Sequence, residues 1–402
     1  MMKAKTYIQH NGLWLLVAVL GIAVSGYFLL RLPFLLLARE QAQLFLWNTD
    51  YLMERLVVPG GLAQYLGEMM VQFFLNPLAG AIWYGALFVV ITWLSFLLIG
   101  SPKHRYLSLL SLVPSLVLTY LWTDIRFPMT LTVAVLLALA LAVCVQLLNR
   151  KAQLAVLTVL MPVGYWLIGP AIVLTLIPIL YKRCNIVPAM ALVIWLVACV
   201  LGSARVVPYP LKQVARGVDY YLDDTKFGTY EDMTYDMLVR EQRWSAVVNR
   251  YHEQGSESLA IRNAVGLSMF QLQQIDQQEM LSHFEFSTKA LSSISSAFMM
   301  SEVCMHVGMV NIAQRAAFEA MEAIPNHNKS ARALHRLVET NLITGQTDVA
   351  LKYIAILEQT TFYRGWASRM RVLAEQPQQL DHHPYYHRLK EIYEHGNDMF
   401  FY

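Results

Sequence analysis

The sequence predicts an all-α protein in two parts, a polytopic transmembrane helix bundle of six or seven spans followed by a tetratricopeptide-like α-solenoid. Three observations carry this. Hydrophobic residues make up 56% of the 402 and charged residues only 15%, against about 25% charged in an ordinary soluble domain. Charge divides between the halves: residues 1–204 hold 12 Lys/Arg and 5 Asp/Glu, residues 205–402 hold 19 and 23. Beyond residue 228 a helical period runs without strand alternation, and a spaced pattern of glycine and alanine recurs. Disorder and a single soluble globule are excluded by the same figures.

The bundle occupies residues 1–204. A helix needs about 20 apolar residues to cross ~30 Å of hydrocarbon. Residues 12–37 supply one run, interrupted by Arg31 and Pro33. Residues 79–99, 106–122, 127–148 and 187–204 supply four more, none holding an Asp, Glu, Lys or Arg. Residues 153–180 are apolar but punctuated by Pro162, Gly169–Pro170 and Pro178. At ~1.5 Å per residue this stretch would reach about 42 Å. It reads either as two short helices meeting at Gly169–Pro170 or as one kinked span. Lys3 and Lys5 precede an apolar run too long for a cleaved leader, so the first span is an uncleaved anchor with a cytoplasmic N-terminus. Lys103, Arg105, Arg150 and Lys151 then fall inside as well. The side of the C-terminal half stays open. Lys182 and Arg183 favour seven spans and an outside C-terminal half, Arg205, Lys212 and Arg216 the reverse, and the length of 153–180 leans to the outside.

The loop after the first span carries two candidate interfacial helices, 41–57 and 62–76. In the second, Leu62, Tyr65, Leu66, Met69, Met70, Phe73 and Phe74 form one apolar stripe, opened by Pro59-Gly60-Gly61 and closed by Pro77. Gln64, Glu68, Gln72 and Asn76 lie off the stripe, so the helix is expected to lie in the interface or to pack over the bundle mouth. Leu44, Trp47, Tyr51 and Leu52 make the weaker partner. The pair reads as a structural cap or as an acceptor or lipid site. Spans without carboxylates argue against ion-coupled transport, and Arg31 reads as a snorkelling side chain.

Residues 205–228, with Pro208, Pro210, Gly217 and Gly228, read as an extended linker, and 229–402 as the repeat domain. The spacing Gly308-x-Val310-x2-Ala313-x3-Ala317-x2-Ala320-x4-Pro325 recurs as Gly345-x-Thr347-x2-Ala350-x3-Ile354-x2-Leu357. A degenerate copy is Gln242-x-Trp244-x2-Val247-x3-Tyr251. The glycine lets the chain turn between two helices, and the alanines let the second pack closely on the first, here 294–307 and 331–343. Helices 258–272, 361–375 and 384–396 complete the array.

The stretches Glu54 to Ala81 (ERLVVPGGLAQYLGEMMVQFFLNPLAGA) and Asn341 to Ala367 (NLITGQTDVALKYIAILEQTTFYRGWA) resemble those of an uncharacterised bacterial family. Its members are polytopic membrane proteins with tetratricopeptide-like C-terminal halves. The resemblance covers most of the chain and implies architecture, in the bacterial cytoplasmic membrane, rather than chemistry. Family members continue beyond this chain's end, so the apolar Met399–Tyr402 implies a shortened chain or an edge covered by a partner.

Little else points to catalysis. Cys144, Cys184, Cys199 and Cys304 show no paired spacing, and no nucleotide-binding or hydrolase motif occurs. His387, Glu391 and His395 share a helix face, but i and i+8 lie ~12 Å apart, too far for one ion. No metal, cofactor or nucleic acid is expected. Membrane glycosyltransferases using polyprenyl-phosphate sugars carry an acidic residue in the first outer loop, which this chain resembles in Asp50, with Glu54 beside it. That resemblance implies a base or metal ligand for an acceptor hydroxyl, without the paired acidic motif or full span number. The leading expectation is a non-enzymatic scaffold in the lipid bilayer whose solenoid binds a protein or peptide. Tyr353, Tyr363, Arg364, Trp366 and Arg369 are the contact candidates, or else packing residues.

Overall fold

The structure is a computed structural model describing residues 2–99, 108–183, 186–223, 225–326 and 328–395. Lys103, Arg105, Cys184 and Met399–Tyr402 lie outside the described residues. The chain is 78% helical, with no strand among the described residues. Its α-helices run α1 (Met2–Arg31), α2 (Pro33–Gln41), α3 (Thr49–Leu56), α4 (Gly61–Val71), α5 (Pro77–Ile99), α6 (Val113–Trp122), α7 (Met129–Gln146), α8 (Arg150–Ile168), α9 (Ile177–Arg183), α10 (Ile186–Ser203) and α11 (Leu211–Arg216). The second half continues with α12 (Tyr230–Arg240), α13 (Trp244–Gln254), α14 (Leu259–Gln271), α15 (Gln277–Ser282), α16 (Ile294–Val307), α17 (Val310–Glu322), α18 (Ala331–Ile343), α19 (Thr347–Leu357), α20 (Arg364–Glu375), α21 (Pro377–His382) and α22 (Pro384–His395). Contacts divide the chain into two units, Met1–Leu36 with Asn48–Asp223, and Leu37–Trp47 with Asp224–Tyr402.

Among the described residues of the first unit, five helices are long and apolar enough to cross a membrane: Gly12–Arg31, Pro77–Ile99, Met129–Gln146, Arg150–Ile168 and Ile186–Ser203. Leu109–Trp122 and Pro170–Leu180 are shorter apolar helices. Pro33 opens α2, so the first long helix stops at Arg31, which is exposed. Many large apolar side chains face outward, among them Leu15, Ile22, Leu30, Ile186, Val187 and Ile194, as expected where lipid is the solvent. Inside, Phe28, Tyr84 and Trp122 stack at centroid separations of 4.5–6.3 Å. Buried hydroxyls join the helices: Thr92 and Ser115 share a 2.6 Å hydrogen bond, and Trp122 Nε1 donates to Thr132 Oγ1 at 2.7 Å.

Hydrogen bonds mark two ends of this unit. At one, Trp166 Nε1 donates to the Leu56 carbonyl, Gly60 N–H to the Trp166 carbonyl, Tyr220 Oη to the Ile168 carbonyl, and Leu222 N–H to the Arg126 carbonyl, all within 2.6–2.9 Å. At the other, Gln146 Nε2 donates to the Leu97 carbonyl and Gln153 Nε2 to the Val145 carbonyl. After Gly169 (φ +94) the chain doubles back as a 3-10 helix, Pro170–Leu176, whose Ile172 lies against Gly164 of α8. The stretch expected as a linker is packed in this unit as far as Asp223: Val207, Val214 and Tyr220 belong to its core, and Tyr165 Oη donates to the Val214 carbonyl.

In the second unit each helix packs on its sequence neighbours: α12 on α13, α13 on α14, α16 on α17, α17 on α18, α18 on α19 and α19 on α20. Four times, after α12, α14, α16 and α18, the chain makes the same turn. A left-handed residue (Gln242, Gln273, Gly308, Gly345) precedes an N–H that reaches the carbonyl five residues back. These bonds are Arg243 to Leu238, Gln274 to Met269, Met309 to Cys304 and Gln346 to Asn341, at 2.7–2.9 Å. Two of the turns use glycine and two pay the strain of a glutamine at positive φ. Ala313, Ala316, Ala317 and Ala320 of α17 are fully buried, and their small size brings Ser301 Oγ of α16 to 2.8 Å from the Ala313 carbonyl.

Part of the segment between the first two long helices, Leu37–Trp47, belongs to this second unit. Leu37 and residues 39–45 are buried there. Leu44 N–H donates to the Lys329 carbonyl and Trp47 N–H to the Gln359 carbonyl, both at 3.0 Å, and Trp47 Nε1 to Thr361 Oγ1 at 2.6 Å. The interfacial helix expected over 41–57 is therefore only α3, and residues 42–47 form an irregular strap.

The α1–α5 crossing gives a first prediction. A Cβ on Gly85 would clash with Ser25 Oγ and stand 2.6 Å from the Gly21 carbonyl. Gly85→Val is expected to destabilise the bundle by about 1–3 kcal/mol through overpacking. A lowered thermal midpoint in detergent, against an unchanged midpoint for Gly12→Ala, which meets nothing within 4 Å, checks it.

Candidate functional site

The first helices of the hairpins carry a buried polar cluster of the second unit. Asp236 on α12, Glu302 on α16, and Arg332, Arg336 and Glu339 on α18 alternate in sign across three helices. Arg332 and Arg336 are four residues apart, so both project from one face of α18. Arg332 grips Asp236 with both Nη atoms at 2.7 and 2.9 Å, and its Nη1 also reaches Gln41 Oε1 of the strap at 3.1 Å. Its guanidinium lies 4.9 Å over the Phe298 ring. Arg336 bridges two carboxylates, Glu302 Oε2 at 2.7 Å and Glu339 Oε2 at 2.8 Å. Tyr386 Oη of α22 donates to Glu339 Oε1 at 3.1 Å.

Burial pushes the Glu302 carboxyl up, but Arg336, Arg332 and His306 overcome it and hold the group at about 2. Burial also opposes ionisation of Glu339, which Arg336 and His335 still keep below the usual carboxylate range. A second charged point joins the strap to the unit: Tyr363 Oη donates to Glu40 Oε1 at 2.9 Å. Burial pushes the Glu40 carboxyl up, against the pull of Arg240 and Tyr363.

The five expected contact residues divide. The Tyr363 hydroxyl is committed to Glu40, and Trp366 stacks on His335 at 3.6 Å between ring centroids. Tyr353 is partly buried. Arg364 and Arg369 are exposed, with Arg364 Nε donating to the Glu358 carbonyl at 3.0 Å.

The first loop builds a different site from the one expected. Asn48 caps α3, its side chain accepting from Tyr51 N–H, and Asp50 and Glu54 are exposed on that helix. The buried groups are Tyr51, Arg55, Gln64 and Glu68. Glu68 is fully enclosed and accepts from Tyr51 Oη at 2.7 Å, Arg55 Nε at 2.9 Å and Gln64 Nε2 at 3.1 Å. Arg55 also lies 4.4 Å over the Tyr51 ring. Burial raises the Glu68 carboxyl to about 7, against Arg55 and Tyr51, with Asp219 adding to the rise. On α4 the polar residues off the apolar stripe turn inward. Gln64, Glu68 and Gln72 are buried, whereas Leu62, Tyr65, Leu66, Met69, Met70 and Phe73 remain partly exposed and only Phe74 is fully covered. Ala63 and Gly67 explain it: a Cβ at Gly67 would meet the Thr130 backbone at 2.8 Å, so the small-residue face presses on α7 and carries its polar neighbours inward. The spacing Ala63-x3-Gly67-x3-Val71 was the available signal.

The fold and these clusters define a class, an all-helical protein joining membrane-length apolar helices to an array of helical hairpins. Residues 6–402 match the family described as "Family of unknown function (DUF6057)". The chain belongs to that family. No curated protein and no solved structure matches it.

Two predictions follow from the clusters. Arg336→Ala leaves Glu302 and Glu339 buried without their shared cation, an expected loss of about 3–5 kcal/mol, read as a lowered unfolding midpoint. The two carboxylates differ in the sign of their pH dependence. Glu68, raised from 4.5 to about 7, contributes stability below its unfolded value that is lost as pH rises through 7. Glu302, lowered to about 2, contributes above its unfolded value and loses it as pH falls towards 2. Glu68→Gln is expected to flatten the stability profile between pH 5 and 8, measured by thermal melts in nanodiscs.

Proposed function

We propose that this protein is a seven-span scaffold of the bacterial cytoplasmic membrane that holds a tetratricopeptide-like domain on the extracytoplasmic side, where the domain binds a protein or peptide partner. The strap carries this reading. Residues 37–47 follow the first membrane helix directly, yet they are folded into the same unit as residues 224–402. Two segments of one folded unit lie on one side of a membrane, so the chain between them crosses an even number of times. Five apolar helices lie there besides Pro170–Leu180: four long ones with Leu109–Trp122. With Leu109–Trp122 taken as a crossing, an even count makes the stretch after Gly169 a crossing of its own. Seven residues of 3-10 helix at ~2.0 Å each and seven of α9 at ~1.5 Å reach about 24 Å, near the ~30 Å needed. Helix α10 packs alongside α8, Trp195 Nε1 donating to the Thr158 carbonyl midway along it. With Lys3 and Lys5 inside, the domain lies outside.

The repeated turns support the tetratricopeptide-like reading, since each closes one hairpin that stacks on the next. Such arrays present an extended surface for a peptide or helix. Lipid solvates the apolar outer face of the bundle.

In a cysteine-free background, Glu257→Cys is expected to react with a membrane-impermeant maleimide in intact spheroplasts, and Lys151→Cys only after lysis. The reverse pattern overturns the topology. Cross-linking in intact cells is expected to capture a protein through the full chain, and to lose it with Arg364→Ala and Arg369→Ala together. Envelope glycans are expected to be unchanged by Asp50→Ala and Glu54→Ala. Loss of a glycan there would replace the scaffold with a lipid-linked sugar transferase.

A further inference from the structure

Helices α7 and α8 are joined by the short connection 147–149, yet a groove of about 330 Å³ remains between them. On α7 its lining runs from Leu137 to Cys144 at i, i+3, i+4 and i+7. On α8 it runs from Leu160 to Leu167 at the same spacing, so one face of each helix looks into it. Leu62 of α4 completes the wall. The segment after Gly169 accounts for the gap. The 3-10 helix Pro170–Leu176 packs on both α7 and α8. Its Ile172 is fully buried where a Cβ on Gly164 would clash with it. A segment packed on both helices keeps them from closing fully on each other.

The chemistry of the lining selects what fills the groove. Among the described residues no charged, hydroxyl or amide side chain lines it, so water would find no partner there. Leaving it empty is also unfavourable. Helices in lipid associate through van der Waals contact, and a lining without partner atoms forfeits that contact. The groove opens outward, because Cys144 and Val163 on its two walls are exposed. Both helices have membrane length, so the medium at that opening is hydrocarbon. The volume falls at the lower end of ligand sites, which run from ~300 to ~1,000 Å³. It is drawn out over two turns of each helix, roughly 11 Å, and so accommodates a run of methylenes.

We propose that the groove between α7 and α8 is a lipid site that holds one acyl chain of a bilayer phospholipid as a fixed part of the bundle. The chain lies between the two lining faces and supplies the contacts that direct packing of α7 on α8 would otherwise make. The head group stays outside, since no polar side chain lines the groove to hold one. The site rests on the membrane reading above, and on neither the number of crossings nor a partner for the second unit.

The test uses the full chain in a mild detergent, with phosphatidylglycerol as the probe. Native mass spectrometry is expected to find one phospholipid retained per chain after washes that strip loosely held lipid. Ala140→Phe, which fills the groove, is expected to lower that retention at least five-fold. Val159→Phe adds the same ring at an exposed position of α8 and is expected to leave retention unchanged. Equal retention by the native and Ala140→Phe chains overturns the proposal. A density map of the native chain in phosphatidylglycerol nanodiscs needs no variant. It is expected to show a rod of density along Leu137–Cys144, and a bare groove overturns the proposal. An isoprenoid phosphate retained in place of the phospholipid also overturns it. A chain that sediments with membranes but holds no lipid overturns the groove and leaves the membrane reading standing. A chain that leaves the membrane without detergent overturns both.

Discussion

The arrangement of the whole chain depends on residues 37–47 being part of the second unit's core. The contacts they make are among the most distant in sequence: Gln41 with Arg332, Glu40 with Tyr363, and Trp47 with Thr361. A soluble domain assembled from one continuous segment could fold as soon as it is made. This one requires a segment delivered by the first loop, and more than 170 residues of mostly apolar helix come between. Closing a loop of that length is entropically unfavourable for a free chain, though the cost grows only with the logarithm of length. A membrane bundle that has already fixed its helices removes most of that freedom before the strap must dock.

Buried charge appears in both units, and it does different work in each. In the first, one carboxylate is surrounded by Tyr51, Arg55 and Gln64 and still titrates near 7, because desolvation outweighs its partners. In the second, Glu302 has the favourable balance, with two arginines close enough to overcome a comparable burial. Replacing such pairs by apolar side chains is often neutral for stability, so neither cluster is explained as a source of strength. What they define is register. Arg332 can satisfy Asp236 and Gln41 together only when α12, α18 and the strap are all in place.

The sequence made some of this legible and hid the rest for identifiable reasons. Helices 294–307 and 331–343 are found as read, because Gly308 and Gly345 announce the turns that end them. The turn at Gln242 was visible only as a weak copy, and the one at Gln273 not at all, since nothing in a glutamine advertises a left-handed backbone. The membrane-length helices follow from apolar run lengths. The inward turn of Gln64, Glu68 and Gln72 on α4 was not read, because the stripe of large apolar residues drew the attention and the small residues did not. Where lipid is the outer solvent the large residues can face outward, and the small ones, Ala63 and Gly67, mark the packed face. The strap could not be read, because residues 42–47 have no periodicity and their partners lie some 300 positions away.

The side of the membrane holding the second half was a near tie by lysine and arginine distribution, and the strap bears on that tie by a different kind of constraint. Charge distribution acts while loops are being inserted, and each residue biases the outcome without forbidding the alternative. Parity of crossings admits no such compromise, since one folded unit cannot have its pieces on opposite sides of a bilayer. Of the three cations that spoke for the cytoplasm, Arg216 is paired with Asp223 at 2.7 Å and donates to the Tyr221 carbonyl, so its position has a structural explanation within the first unit.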